Sequence, residues 1–209
     1  MSDSPNRNAG SAALPAKGPA ALFRSWTIQE IVIVVVLAAA LGVLWWGWTL
    51  VDAVVSPLLK PLNLSYLSAG FWFTGGTLIP FLIRRPGAAL IASLIAAGIE
   101  GLITQWGVTA LIWGAVQGLG AELVYLAIFR YKVWNLGSLI VAGVVSGLFS
   151  WTLDFFYSQY ISLAPWIWAF QIGSVVVSGA LLGGALAWLV GKGIIRTGAL
   201  RSVMPQVKA

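Results

Sequence analysis

The most constraining feature of this sequence is the stretch between Arg85 and Arg130, which contains no basic residue and is almost wholly apolar. A spanning helix needs about 20 mostly apolar residues, so the stretch has room for two, joined by a turn near residues 105–107. Two carboxylates, Glu100 and Glu122, interrupt it. An ionised carboxylate within lipid costs roughly 2.5–3.5 kcal/mol on insertion scales. These groups therefore predict a site for a small polar or cationic solute.

The overall composition extends this interpretation to the whole chain. Of 209 residues, 59% are hydrophobic and 9% are charged, whereas soluble domains carry about 25% charged residues. We predict an all-α, polytopic membrane protein with six transmembrane helices, at about residues 28–50, 66–83, 86–104, 107–129, 136–158 and 165–190. We expect a disordered basic tail at 1–24, a single transmembrane domain at 25–195 and a short C-terminal tail at 196–209.

The basic residues predict the orientation of these helices. Eleven of the twelve Lys and Arg fall in the two tails and in the second-to-third and fourth-to-fifth connections, and only Lys60 falls on the other side. Loops rich in Lys and Arg stay in the cytoplasm. Both termini are therefore predicted to be cytoplasmic. Because the basic residues mark helix ends and tails, the high pI does not indicate a nucleic-acid partner.

Missing residue types exclude several functions. The chain has no histidine and no cysteine, which removes Ser-His and Cys-His catalysis and the commonest metal ligand. It also lacks a Walker A motif, so it cannot itself drive transport with ATP. We expect a protein without catalytic residues, cofactor or metal site, and not an enzyme.

Polar and aromatic residues on the predicted helices converge on the outer side. Glu100 and Asp154 each lie four residues before the outer end of a helix, and Gln117 lies near the midplane. On the fourth helix, Trp106, Trp113 and Gln117 fall within about 60° of one another. Aromatic faces and carboxylates without a basic residue favour a cation or an amine-bearing heterocycle. The candidate ligand-binding residues are Glu100, Gln117, Trp72, Trp106, Trp113, Asp154, Trp151 and Tyr157.

Other candidates have two open interpretations. Glu122 lies about 140° from Gln117 on the fourth helix, so it either supports the site or is a buried structural acid bonded to a neighbouring helix. Asp154 either touches the ligand or caps a helix end. Trp46 and Trp48 either belong to the site or to an interfacial aromatic belt. Each of these remains open from the sequence alone.

Three sequence stretches resemble a known family. They are IRRPGAAL at 83–90, VQGLGAELV at 116–124 and GFWF at 70–73, together with Glu100. They are similar to the YkoE-type substrate-binding subunits of energy-coupling-factor (ECF) transporters. The likeness covers roughly residues 26–200.

The resemblance implies a six-helix, multi-pass protein of the bacterial cell membrane that captures thiamin or its hydroxymethylpyrimidine precursor from outside. It implies a transmembrane coupling protein and cytoplasmic ATPase subunits as partners. Small residues on the first helix contact the coupling protein in this family, and Ala38 and Gly42 fit that pattern. The loop at 51–65 would gate the site. The alternative is a stand-alone, proton-coupled carrier that uses Glu122 or Asp154.

Overall fold

The computed structural model describes residues 26–198 and residue 200, and all regular structure within them is helical. Seven α-helices follow one another along the chain: α1 Ile28–Leu59, α2 Thr74–Ile83, α3 Ala88–Ile103, α4 Ala110–Leu123, α5 Leu136–Tyr157, α6 Pro165–Ser178 and α7 Ala187–Thr197. The predicted tail at 1–24 and the last part of the predicted C-terminal tail lie outside the described residues. The final helix continues to Thr197, beyond the predicted domain boundary at 195.

Irregular helical turns join these helices into six apolar segments. A 3-10 helix, Ala69–Phe73, leads into α2, and a π-helix, Gly179–Leu186, joins α6 to α7. Four segments are long and apolar enough to cross a membrane, namely Ile28–Leu62, Gly107–Ile128, Leu136–Tyr157 and Pro165–Thr197. The remaining two, Ala69–Ile83 and Ala88–Ile103, are shorter. The all-helical expectation is therefore confirmed for the described residues, while the count of six spans stays a prediction.

Helix α1 begins where the sequence predicts but ends later. Its start is fixed by a capping box, in which the Thr27 hydroxyl accepts from the Glu30 amide and the Glu30 carboxylate accepts from the Thr27 amide. The helix then runs for 32 residues with Pro57 inside it. At about 1.5 Å per residue this is about 48 Å, which exceeds the roughly 30 Å hydrocarbon core of a bilayer. Hydropathy marks the apolar part of a helix, so it misplaced this end.

Ala38 and Gly42 lie on the inner face of α1, packed against α3. Ala38 is fully buried, and a Cβ at Gly42 would lie 2.5 Å from the Ala96 carbonyl oxygen. Small residues permit this close approach of two backbones. Both residues therefore serve packing within the described part of the chain, and the expected contact of Ala38 and Gly42 with a coupling protein stays a prediction.

A second close contact joins α5 to the π-helix. A Cβ on Gly143 would collide with the Gly179 carbonyl oxygen, and a Cβ on Gly179 would lie 2.7 Å from the Gly143 oxygen. We expect Gly143→Leu to separate the two segments, because neither backbone atom can move away alone, and to lower the yield of folded protein severalfold. Size-exclusion chromatography of the purified variant measures this. Gly173→Leu is the matched control, since a Cβ there meets no atom within 4 Å.

Candidate functional site

A cavity of about 320 Å³ lies at the end of the bundle opposite Arg84, Arg85 and Arg130. Its walls come from the later part of α1, the α1–α2 connection, the end of α3, the start of α4 and the end of α5. Small-molecule sites typically measure about 300–1,000 Å³. Six of the eight predicted ligand-binding residues line it: Glu100, Gln117, Trp72, Trp106, Trp113 and Asp154.

Glu100 is buried in the wall of this cavity, with only 4% of its surface exposed. Its Oε1 accepts hydrogen bonds from the Trp72 indole N–H at 2.7 Å and from the Thr49 hydroxyl at 2.8 Å. Neither donor is a basic residue, and both bonds fall on the same oxygen. Because the indole N–H is committed to Glu100, it also holds the Trp72 ring in place as part of the wall.

Asp154, near the end of α5, also accepts hydrogen bonds from an indole N–H and a hydroxyl. The Trp113 indole N–H donates to Oδ1 at 2.7 Å, and the Tyr66 hydroxyl donates to Oδ2 at 2.7 Å. The Tyr66 hydroxyl also lies 3.5 Å from that of Tyr160. Asp154 therefore connects three elements, namely α4, α5 and the connection between α1 and α2.

Gln117 supplies a neutral polar group between α4 and α5. Its side-chain amide donates to the Ser150 hydroxyl at 3.2 Å, and its backbone carbonyl accepts from the Ser146 hydroxyl at 2.9 Å. Its side-chain oxygen has no partner among the described residues and lies in a residue that lines the cavity. This oxygen is therefore free to accept a hydrogen bond from a ligand.

Sequence reasoning missed the polar residues that the extension of α1 brings to the cavity. Asp52 and Ser56 in α1 and Lys60 at its C-terminal cap are spaced four residues apart, and all three line the cavity. The Asp52 carboxylate accepts a 2.5 Å hydrogen bond from the Ser68 hydroxyl. The four-residue spacing of these three polar side chains is the signal that could have identified them, because residues at i and i+4 share a helix face.

The structure does not bring every predicted residue to the cavity. Trp151 points toward α6, where its indole N–H donates to the Gln171 side chain at 3.1 Å. Tyr157 is 60% exposed and packs its ring edge against Trp113 on the outside. Trp46 is also exposed. Trp151 and Tyr157 therefore do not line the cavity, because they lie one turn from Asp154 and are rotated about 60° to either side of it. The exposure of Trp46 is consistent with the interfacial belt.

Trp48, the other tryptophan whose role the sequence leaves open, supports the cavity wall without lining it. Its indole N–H donates to the Ser68 carbonyl at 2.9 Å, and its ring stacks on Phe71 with 4.6 Å between centroids. The hydroxyl of the same serine bonds to Asp52. Trp48 therefore helps to hold the α1–α2 connection against α1.

Glu122 lies near the basic end of the bundle and serves a structural purpose. Its carboxylate accepts from the backbone amides of Gly87 at 2.6 Å and Ala89 at 2.9 Å, at the N-terminus of α3. It also accepts from the Tyr131 hydroxyl. Burial, and to a smaller extent the bond to this carboxylate, raise the pKa of the Tyr131 phenol. The phenol therefore stays protonated and donates its hydrogen to Glu122. Of the two interpretations of Glu122, the structure supports the structural acid.

The charges around the cavity are strongly one-sided. Among the described residues, three carboxylates line it, those of Asp52, Glu100 and Asp154, against one basic side chain, Lys60, which is exposed. Aromatic rings form much of the remaining surface. Carboxylates and aromatic faces both attract cations and N–H donors. The arrangement is suited to a small cationic or amine-bearing heteroaromatic ligand.

Comparisons with known proteins place the chain among transport components. Residues 29–149 match the family described as ABC-type cobalt transport system, permease component. The chain is 34% identical over 181 residues to the Bacillus subtilis (strain 168) protein YkoE, named as an HMP/thiamine permease, covering 86% of this chain and 90% of that one. It is also similar to a crystal structure of an S-component of an ECF transporter, with a TM-score of 0.80, 35% identity, and coverage of 85% and 90% of the two chains.

Proposed function

Because this chain belongs to the YkoE-type family of S-components of ECF transporters, we propose that it binds thiamin or its hydroxymethylpyrimidine precursor and delivers it for ATP-driven uptake. Its membership makes it a multi-pass transport protein of the bacterial membrane. The YkoE relative is named for HMP and thiamine. The proposal assigns the same ligand class to the cavity described above.

The observation that carries this proposal is the Glu100 carboxylate beside aromatic rings and the Gln117 amide. Only one oxygen of Glu100, Oε1, accepts from the described residues. The other is left for a ligand N–H, and the side chain lines the cavity. Thiamin offers an aminopyrimidine edge and a permanently cationic thiazolium ring. Glu100 and Gln117 would pair with the edge, while Trp72 and Trp113 would stack on the rings.

The chemistry of the cavity supports an organic ligand over the cobalt in the description of the family model. Cobalt prefers imidazole, thiolate or several carboxylates as ligands. The chain has no histidine or cysteine, and no group of three or more acidic side chains that could hold a metal occurs among the described residues. The aromatic walls would add nothing to the binding of a metal ion.

The topology and the partners complete the proposal. With six spans and both termini in the cytoplasm, the basic end lies inside and the cavity lies toward the exterior. The transmembrane coupling protein and the ATPase subunits expected of an ECF system would supply the energy. The buried positions of Ala38 and Gly42 leave the outer, apolar face of α1 for such a partner or for lipid. That face includes Val36, Val43 and Val54, all exposed.

Titration calorimetry of the purified chain in detergent tests the proposed ligand. We expect saturable binding of thiamin and of hydroxymethylpyrimidine at one site, because the deep polar groups are preorganised by protein donors. Cobalt chloride should produce no comparable heat. Binding of cobalt without binding of either organic compound would overturn the proposal.

A further inference from the structure

The carboxylates of the cavity differ in how their oxygen atoms are occupied. Both bonds to Glu100 fall on Oε1, which leaves Oε2 without a donor from the described part of the chain. In Asp154 each oxygen already accepts one bond, from Trp113 on one side and Tyr66 on the other. Glu100 therefore presents a whole oxygen atom to the cavity, whereas Asp154 is committed to two protein groups.

Tyr66 is the residue through which the α1–α2 connection is attached to the rest of the bundle. Its carbonyl oxygen accepts from the Ser178 hydroxyl on α6 at 2.7 Å. Its own hydroxyl donates to Asp154 on α5 at 2.7 Å. The side chain is buried and lines the cavity. The α1–α2 connection is thus held through both the backbone and the side chain of Tyr66. Of these two bonds, the one to Asp154 lies at the cavity surface.

Tyr66 and Trp113 line the same cavity as the deep polar groups. Glu100, Gln117 and Ser150 each expose 6% or less of their surface, so they lie deep in its wall. Asp154 bonds to both Tyr66 and Trp113, so it fixes the positions of two aromatic side chains at the cavity surface.

We propose that Asp154 is a positioning residue and not a ligand contact: it fastens Tyr66 and Trp113 over the bound ligand and thereby slows its release. This role rests on the proposed function, since it requires a ligand in the cavity. In this proposal Glu100 makes the direct ionic contact with the ligand, whereas Asp154 affects the rate at which the ligand is released. Loss of the bond between Asp154 and Tyr66 shortens the time for which the ligand stays bound.

The test is the rate of thiamin release, measured by stopped-flow tryptophan fluorescence on the wild type, Asp154→Asn, Tyr66→Phe and the double variant. Each single variant should release thiamin about 3- to 10-fold faster, the range expected for loss of one hydrogen bond. The double variant should be no faster than the faster single variant, because both changes remove the same bond. Tyr131→Phe is the matched control, since that tyrosine bonds to Glu122 near the basic end of the bundle and does not line the cavity.

The outcomes separate this proposal from the one before it. If the wild type does not bind thiamin, both proposals fail. If it binds, but Tyr66→Phe releases thiamin at the wild-type rate, only the positioning role is overturned. Additive effects in the double variant, or an Asp154→Asn affinity as poor as that of Glu100→Gln, would identify Asp154 as a ligand contact. Loss of one bond should lower the melting temperature of each ligand-free variant by only a few degrees, and the release rates are compared on folded protein. Should Asp154→Asn fail to fold, the release rate of Tyr66→Phe decides alone.

Discussion

Glu100→Gln is expected to weaken thiamin binding by about 10- to 150-fold, because a hydrogen bond to a charged group is worth about 1.5–3 kcal/mol. The substitution keeps the shape of the side chain and can keep the bonds to Trp72 and Thr49, which meet Oε1. It removes the charge and replaces the free acceptor oxygen with an N–H₂ donor. Glu100→Ala should weaken binding at least tenfold. Titration calorimetry measures the dissociation constant of each variant.

The matched control for this prediction is Glu122→Gln. It changes another carboxylate of the same stretch of sequence, but one outside the cavity. Its dissociation constant for thiamin, measured on folded protein, should equal that of the wild type. An unchanged affinity in Glu100→Gln would remove Glu100 from the site and leave the proposed recognition without its central group.

Glu122→Ala is expected to lower the melting temperature by at least about 6 °C. The substitution leaves the Gly87 and Ala89 amides and the Tyr131 hydroxyl without their shared acceptor. Each partly buried donor that loses its partner costs about 1–3 kcal/mol, and in a chain of this size 1 kcal/mol shifts the melting temperature by about 2–4 °C. The measurement is thermal unfolding of the detergent-solubilised protein, followed by circular dichroism.

A graded series makes this second prediction more specific. Tyr131→Phe removes only one donor and leaves both bonds to the α3 N-terminus, so it should cost less than Glu122→Ala. Glu122→Gln retains one acceptor oxygen and should fall between the wild type and the alanine variant. A wild-type melting temperature for Glu122→Ala would show that the α3 N-terminus does not depend on this carboxylate.

Much of the site could be predicted because the cost of burying polar groups in lipid is large and local. Depth along the helices predicts Glu100, Gln117, Asp154 and Trp72, and the structure brings all four to one cavity. Helical angle predicts that Trp113 shares a face with Gln117. The family resemblance, which rested on the stretches around residues 83–90 and 116–124, is confirmed by the relatives.

The missed and misplaced residues have a physical reason. Asp52 lies in α1 beyond its predicted end at residue 50, and Lys60 begins the short 3-10 helix that follows α1. Ala38 and Gly42 could not be distinguished from a surface pair, because small residues allow close packing against any partner, within the chain or outside it. Trp151 and Tyr157 are close to Asp154 in sequence, but only the tertiary packing of α5 determines which of the three faces inward.

The indole-to-carboxylate bonds restrict how the ligand preference of this protein could be re-engineered or could evolve. Replacing Glu100 with an apolar residue would leave the Trp72 N–H without its acceptor, and replacing Trp72 would leave the acid with Thr49 as its one donor among the described residues. The same reciprocal dependence links Asp154 and Trp113. A change of substrate therefore requires coordinated double substitutions, and libraries that vary one position at a time would sample mostly impaired binders.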